Sequence, residues 1–249
     1  MSERPNALRI VGNIVGKNLI RYGLDFERLR VNRFRIQTIG EEHLTELADR
    51  SFVIVANHVQ PEGRNKDIQS GLSPDALVLE KVIKELTGKQ LTAISLSQID
   101  SIFNIPLPTQ LRDKVIYPVT RGILESIGFI PLKREGFSSH KAMLKTVEKE
   151  VMANNPILVF PQGHKYADFD PSKPFNIGAA HIAQSFTLPI IPVYLDGCHT
   201  WEPHLVRVFI GKPFFTAGRT KKENSQRIKE EISALALRRG GLQHNWRPS

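Results

Sequence analysis

Short β-branched runs and stretches of helical periodicity take turns along this chain, and that alternation restricts its fold more than any other feature. Phe52-Val53-Ile54-Val55, inside 51–56, reads as a buried strand. Residues 59–72 are polar and glycine-containing, which reads as a loop. Ser73-Pro74-Asp75 then opens a helix with a capping residue, a proline and an acid in the first turn. Leu79, Val82, Ile83 and Leu86 carry its apolar face, and Gly88 ends it. The same grammar predicts strands at 91–96, 129–132, 156–160, 190–195 and 205–210, and helices at 115–127, 139–151, 177–186 and 223–237. Strands separated by helices imply an α/β fold with a mixed, largely parallel sheet flanked by helices.

The first residues follow a different pattern. Leu8, Val11, Ile14, Val15, Leu19 and Tyr22 recur at helical spacing, with Arg9, Lys17 and Arg21 elsewhere on the wheel. That predicts an amphipathic N-terminal helix within 1–26, and two uses for it stay open: packing on its own domain, or lying on an anionic membrane. Residues 28–36 carry Arg28, Arg30, Arg33 and Arg35 between apolar positions, which reads as an extended segment with a basic face. One domain over 27–240 and a flexible tail over 241–249 complete the expected organisation.

Charge narrows the function classes. The 249 residues hold 34 Lys and Arg against 25 Asp and Glu, a net charge of +9, so the partners are anionic: nucleic acid, a membrane surface or a phosphate-bearing substrate. Nucleic acid is disfavoured, because the arginine-rich segment offers only Phe34 for base stacking. The single cysteine, Cys198, excludes an internal disulfide and a cysteine-rich zinc site. No apolar run approaches the ~20 residues of a spanning helix, and the N-terminus lacks a signal-peptide layout. A cytoplasmic protein, peripheral on the membrane, is expected.

Four segments at predicted strand ends hold residues able to do chemistry, and strand ends are where α/β folds place their sites. They are Asn57-His58 with a downstream acid; Gly128-Phe129-Ile130-Pro131-Leu132-Lys133-Arg134; Phe160-Pro161-Gln162-Gly163-His164-Lys165; and Pro189-Ile190-Ile191-Pro192-Val193, preceded by Phe175-Asn176-Ile177-Gly178-Ala179-Ala180. In this order they resemble the glycerolipid acyltransferase family, which contains the lysophosphatidic acid and glycerol-3-phosphate acyltransferases. That family reads N-H-x-S-x-x-D, G-x-x-F-I-x-R, F-P-E-G-T-R and V-P-V, with F-K-x-G-A between the last two.

The resemblance implies a glycerol-3-phosphate acyltransferase-like fold and an O-acyltransferase of phospholipid biosynthesis. The donor would be acyl-CoA or acyl carrier protein, the acceptor a lysophospholipid of the 1-acyl-glycerol-3-phosphate type, and no metal or further cofactor is called for. It implies His58 as general base and Asp75 as its orienter. Arg134, Phe160, Pro161, Gln162, Gly163 and Lys165 would line the acceptor's phosphate or glycerol end. Three departures bear on this. The family's acid sits five positions after the histidine, where this chain has Gly63. Asp75 is favoured because it opens the apolar helix after an insertion of about 60–72, while Asp67 or a broken pair remain alternatives. Gln162 and Lys165 stand where the family has Glu and Arg, and Asn176 where it has Lys. Two further readings therefore stay open: an acyltransferase for a different lipid or glycoside hydroxyl, and a non-catalytic lipid-binding relative.

Overall fold

The computed structural model describes residues 7–15, 21–59, 74–96, 111–126, 128–132, 137–163, 165–166 and 169–243. Among these residues, seven strands form one sheet: β1 (Arg35–Ile39), β2 (Val53–Ala56), β3 (Thr92–Leu96), β4 (Ile130–Leu132), β5 (Ile157–Val159), β6 (Ile190–Asp196) and β7 (Leu205–Ile210). Their spatial order is β1-β7-β6-β2-β5-β3-β4. Every pairing is parallel except β6 with β7. The mixed, largely parallel sheet expected from the alternation is what the chain forms.

Period-two alternation divides the core between the two faces of the sheet. Ile54 and Ala56 of β2, Ile191, Val193 and Leu195 of β6, and Val206, Val208 and Ile210 of β7 face one cluster. That cluster is closed by helices α2 (Arg21–Val31), α3 (Glu42–Thr45) and α4 (Pro74–Thr87) through Leu24, Leu44, Val78, Val82 and Ile83. Val53 and Val55, Ile190 and Tyr194, and Phe209 face the other. It is closed by α6 (Phe137–Met152), α7 (Gly178–Ser185) and α8 (Lys221–Gln243) through Val147, Ile182, Ile228 and Ile232. Helix α5 (Tyr117–Ser126) continues from a wide π turn over Arg112–Ile116 and leads to β4.

Two expectations are corrected. Residues 28–31 are not extended: they finish α2, and the extended segment starts at Arg35. Leu24 and Val31 lie seven residues apart, two helical turns, and both are buried in the core. Arg28 between them reaches Glu80 of α4 through Nε (3.2 Å) and Nη2 (2.7 Å). Alternating arginines thus came from a helix with one narrow buried stripe. At the other end, α8 spans Lys221–Gln243, past the expected end at 237.

The N-terminal helix, α1 (Ala7–Val15), packs on α5 at a glycine. A Cβ on Gly122 would lie 2.2 Å from the Arg9 carbonyl oxygen, so only glycine permits this approach. Arg9 holds Glu125 in a two-pronged ion pair (2.7 and 2.8 Å) beside it. With 3.6 residues per turn, Arg9 and Asn13 share the packed side, while Ile10, Val11, Ile14 and Val15 fall on the opposite one. Those four are exposed, Ile14 to 55%. Among the described residues no helix is long and apolar enough to cross a membrane.

Candidate active site

Helix connections around β2 and β5 leave the sheet in opposite senses. The chain leaves β2 for α4 on one face, and leaves β5 for α7 on the other. Neighbouring strands that diverge this way open a crevice at their carboxyl ends, the usual place for a ligand in a parallel sheet. His58 stands two residues past β2 and Phe160 one residue past β5.

Asn57 sets where the backbone leaves the sheet. Main-chain pairing between β2 and β6 stops at Ala56 opposite Val193. The buried Asn57 side chain then takes over: its Nδ2 donates to the Leu195 carbonyl (3.0 Å), and its Oδ1 accepts from the Leu195 N–H (2.7 Å). With both amide ends occupied, the main chain is free to turn and project His58 into the crevice. The His58 carbonyl accepts the Tyr166 N–H (3.0 Å), which ties this turn to the loop after β5.

His58 Nδ1 lies 2.6 Å from Asp75 Oδ2. The same oxygen accepts the Val59 N–H (2.9 Å), and Oδ1 accepts the Ala76 N–H (2.7 Å). The Asp75 side chain is fully buried at the start of α4, where those donors and the positive end of the helix stabilise a carboxylate. An anionic partner makes Nδ1 the protonated ring nitrogen and leaves Nε2 as the basic one. The imidazole keeps 17% of its side-chain surface exposed, and Nε2 has no hydrogen-bond partner among the described residues. Of the two acids left open by the sequence, Asp75 is in contact, and Asp67 lies outside the described residues together with most of the insertion.

A flat contact completes the base. Phe160 stacks on the His58 ring, with centroids 3.9 Å apart and planes inclined by 14°. The following turn is closed by the Gly163 N–H donating to the Phe160 carbonyl (3.1 Å) and the Asn176 N–H donating to the Pro161 carbonyl (2.7 Å). Gly163 has φ +69°, the left-handed conformation that favours glycine, and a Cβ there would displace the end of the Asn176 side chain, 2.8 Å away at Nδ2. Pro161 and Gln162 are buried, and neither polar end of the Gln162 amide has a hydrogen-bond partner among the described residues. Lys165 is half-buried, next to the Tyr166 amide that binds the His58 carbonyl. Lys133, Arg134 and His164 lie outside the described residues.

Cys198 is fully buried behind this arrangement. Burial, reinforced by Asp75 and Asp196, pushes its thiol well above the ordinary cysteine range, so it is a neutral packing group. Sequence reasoning gave no role to Asn57, although its position at a strand end beside a histidine was the available signal. It placed Phe160 among the acceptor-lining residues and did not foresee that the ring lies against the imidazole.

Comparisons with known proteins point the same way. Residues 99–196 match the family model described as Acyltransferase. That span holds the segments around Arg134, Phe160–Lys165 and Pro189–Val193, while His58 and Asp75 precede it. No curated protein matches the chain in sequence. Among solved structures, the crystal structure of the 1-acyl-sn-glycerophosphate (LPA) acyltransferase PlsC from Thermotoga maritima has a similar fold, with a TM-score of 0.52. Sequence identity is 17%, over 92% of this chain and 83% of that one. The family-model match over 99–196 supports an acyltransferase enzyme and the resemblance to the glycerolipid acyltransferase family carried by the motifs, and the likeness to PlsC shows a shared fold.

Proposed function

We propose that the chain transfers an acyl group from a thioester, carried by coenzyme A or acyl carrier protein, to the free hydroxyl of a lysophosphatidic acid-type acceptor. The observation that carries this reading is the imidazole at the sheet's crevice with a buried carboxylate 2.6 Å from its Nδ1. Such a pair needs no nucleophile from the protein, because the acceptor hydroxyl supplies it. Nε2 takes the hydroxyl proton as the oxygen attacks the thioester carbonyl, and Asp75 stabilises the imidazolium formed. Collapse of the tetrahedral intermediate breaks the C–S bond, and the proton passes from Nε2 to the departing thiolate sulfur.

Lys165 and Arg134 supply cations for an acceptor phosphate in this reading, and the Gly163 turn lets backbone N–H groups come close to it. The exposed apolar side of α1 suits a lipid surface: its polar side is consumed by Glu125 and α5, so Ile10, Val11, Ile14 and Val15 face away from the domain. The chain's net charge of +9 favours anionic headgroups.

The test pairs a labelled acyl-CoA and a labelled acyl carrier protein with lysophosphatidic acid, glycerol-3-phosphate and an uncharged monoacylglycerol. Wild-type protein is expected to acylate lysophosphatidic acid, with His58→Ala slower by about 10²–10⁴-fold, the worth of a positioned general base. Full activity in His58→Ala, or none in the wild type, refutes the reading. Turnover of the uncharged alcohol alone removes the phosphate part of it.

A further inference from the structure

We propose that Phe160 is a positioning residue for the His58 base: its ring fixes the plane of the imidazole and stabilises the imidazolium face-on. This rests on the acyl-transfer reading above and assigns Phe160 to the base instead of to the wall of the acceptor groove.

Two restraints act on His58, and they are different in kind. The hydrogen bond from Nδ1 to Asp75 fixes one direction within the ring plane. It resists only weakly a torsion of the ring about its own Cβ–Cγ bond, and that torsion tilts the imidazole plane and moves Nε2. A hydrogen bond tolerates such rotation at little cost, because a carboxylate oxygen accepts over a broad range of angles. A second aromatic plane 3.9 Å away and 14° from parallel removes the freedom, since any twist drives the ring edge into Phe160. Only the two contacts together place Nε2 at one point, as a near-attack geometry requires.

Phe160 is itself held. It follows the last residue of β5, its carbonyl accepts the Gly163 N–H, and its ring packs on the same core cluster as Val59 and Leu77. It therefore acts as a fixed surface for the imidazole. The electrostatics have the right sign as well. The face of an aromatic ring carries negative potential, and it attracts a cation lying flat on it within ~6 Å. His58 becomes that cation only after it has taken the hydroxyl proton, so this attraction acts late in the reaction and belongs to the transition state more than to the ground state.

Three variants decide the matter under the assay described above: Phe160→Leu, which keeps an apolar contact without a π face, Phe160→Tyr, which keeps the face, and His58→Ala. Phe160→Leu is expected to lower kcat on the order of tenfold, the rate equivalent of one cation–π contact, with KM changed less than twofold. Phe160→Tyr is expected to hold kcat within twofold of wild type. Thermal midpoints are measured for all three, and a Phe160→Leu protein that melts with the wild type excludes a folding defect as the cause. If Phe160→Leu raises KM and spares kcat, Phe160 is a wall of the acceptor groove and the proposal is overturned. If His58→Ala is inactive while both Phe160 variants match the wild type, the stacking has no role, yet the acyl-transfer reading stands. If His58→Ala is fully active, that reading fails and this one fails with it.

Discussion

Replacing Asp75 by asparagine tests the assignment of the carboxylate with almost no change of shape. The two carboxylate oxygens receive three N–H donors from described residues: His58 Nδ1 and Val59 N on Oδ2, and Ala76 N on Oδ1. An amide has one oxygen and one NH₂ group, so it cannot serve all three. If the amide oxygen takes the place of Oδ2, the NH₂ faces the Ala76 N–H. If it takes the place of Oδ1, the NH₂ faces both Val59 N–H and His58 Nδ1, which must then give up its proton and become an acceptor. The first arrangement keeps the tautomer but loses the charge that stabilises imidazolium. The second moves the ring proton to Nε2 and abolishes the base. Either one opposes donors at a fully buried site, costing about 1–3 kcal/mol of stability.

The rate should suffer more than the stability. In serine hydrolase triads the equivalent change lowers kcat by about 10⁴ through the wrong tautomer. For Asp75→Asn we expect kcat lower by about 10²–10⁴, equivalent to about 3–5 kcal/mol of transition-state stabilisation. KM should be nearly unchanged, because Asp75 is buried behind His58 and is not offered to substrate. Single-turnover transfer of a labelled acyl group under saturating acceptor measures the chemical step directly, and a thermal melt measures the folded state. An Asp75→Asn protein that keeps its kcat within threefold, or loses affinity for acceptor while keeping kcat, refutes the orienting role.

Two other consequences are testable. Ile10→Asn with Val11→Asn removes apolar surface from the outward side of α1 at about 1 kcal/mol per side chain, so binding to anionic vesicles should weaken on the order of 30-fold in co-sedimentation; unchanged sedimentation would count against a lipid-facing α1. At the start of α8, Thr220 and Glu223 cap each other: Glu223 Oε2 accepts the Thr220 N–H (2.7 Å) and Thr220 Oγ1 accepts the Glu223 N–H (3.3 Å). The Thr220 N–H, together with the Thr220 hydroxyl that also donates to Oε2 (2.8 Å), holds the Glu223 carboxyl below its usual range, so its contribution is complete above the unfolded value near 4.5 and fades as pH falls below that. Thr220→Ala should lower the melting temperature at pH 7, and by less at pH 3; an equal loss at both values would argue against the reciprocal cap.

What could be read from residues alone, and what could not, follows from the range of the forces involved. Strands such as 53–56 and 190–196 are buried on both faces, so their β-branched runs announce them without reference to any partner. Helix α4 carries its own start signal in Pro74-Asp75 and its own apolar stripe. The site was legible to the extent that its parts are short motifs at strand ends. Helix α2 failed because its core stripe is two side chains wide, Leu24 and Val31, while Phe26 and Leu29 point outward; the ion pair from Arg28 to Glu80 that helps to hold it joins residues 52 apart, a separation invisible to any local window. The stacking of Phe160 on His58 was hidden for the same reason. A ring 102 positions along the chain from His58 comes to lie on it only because β2 and β5 are neighbours, and the adjacency of those strands is a property of the sheet order, which no single segment encodes. The Asp75 contact lies between these cases: helix periodicity marked the residue as the opening of α4, and only the return of α4 across the sheet face could bring it beneath the histidine seventeen residues earlier.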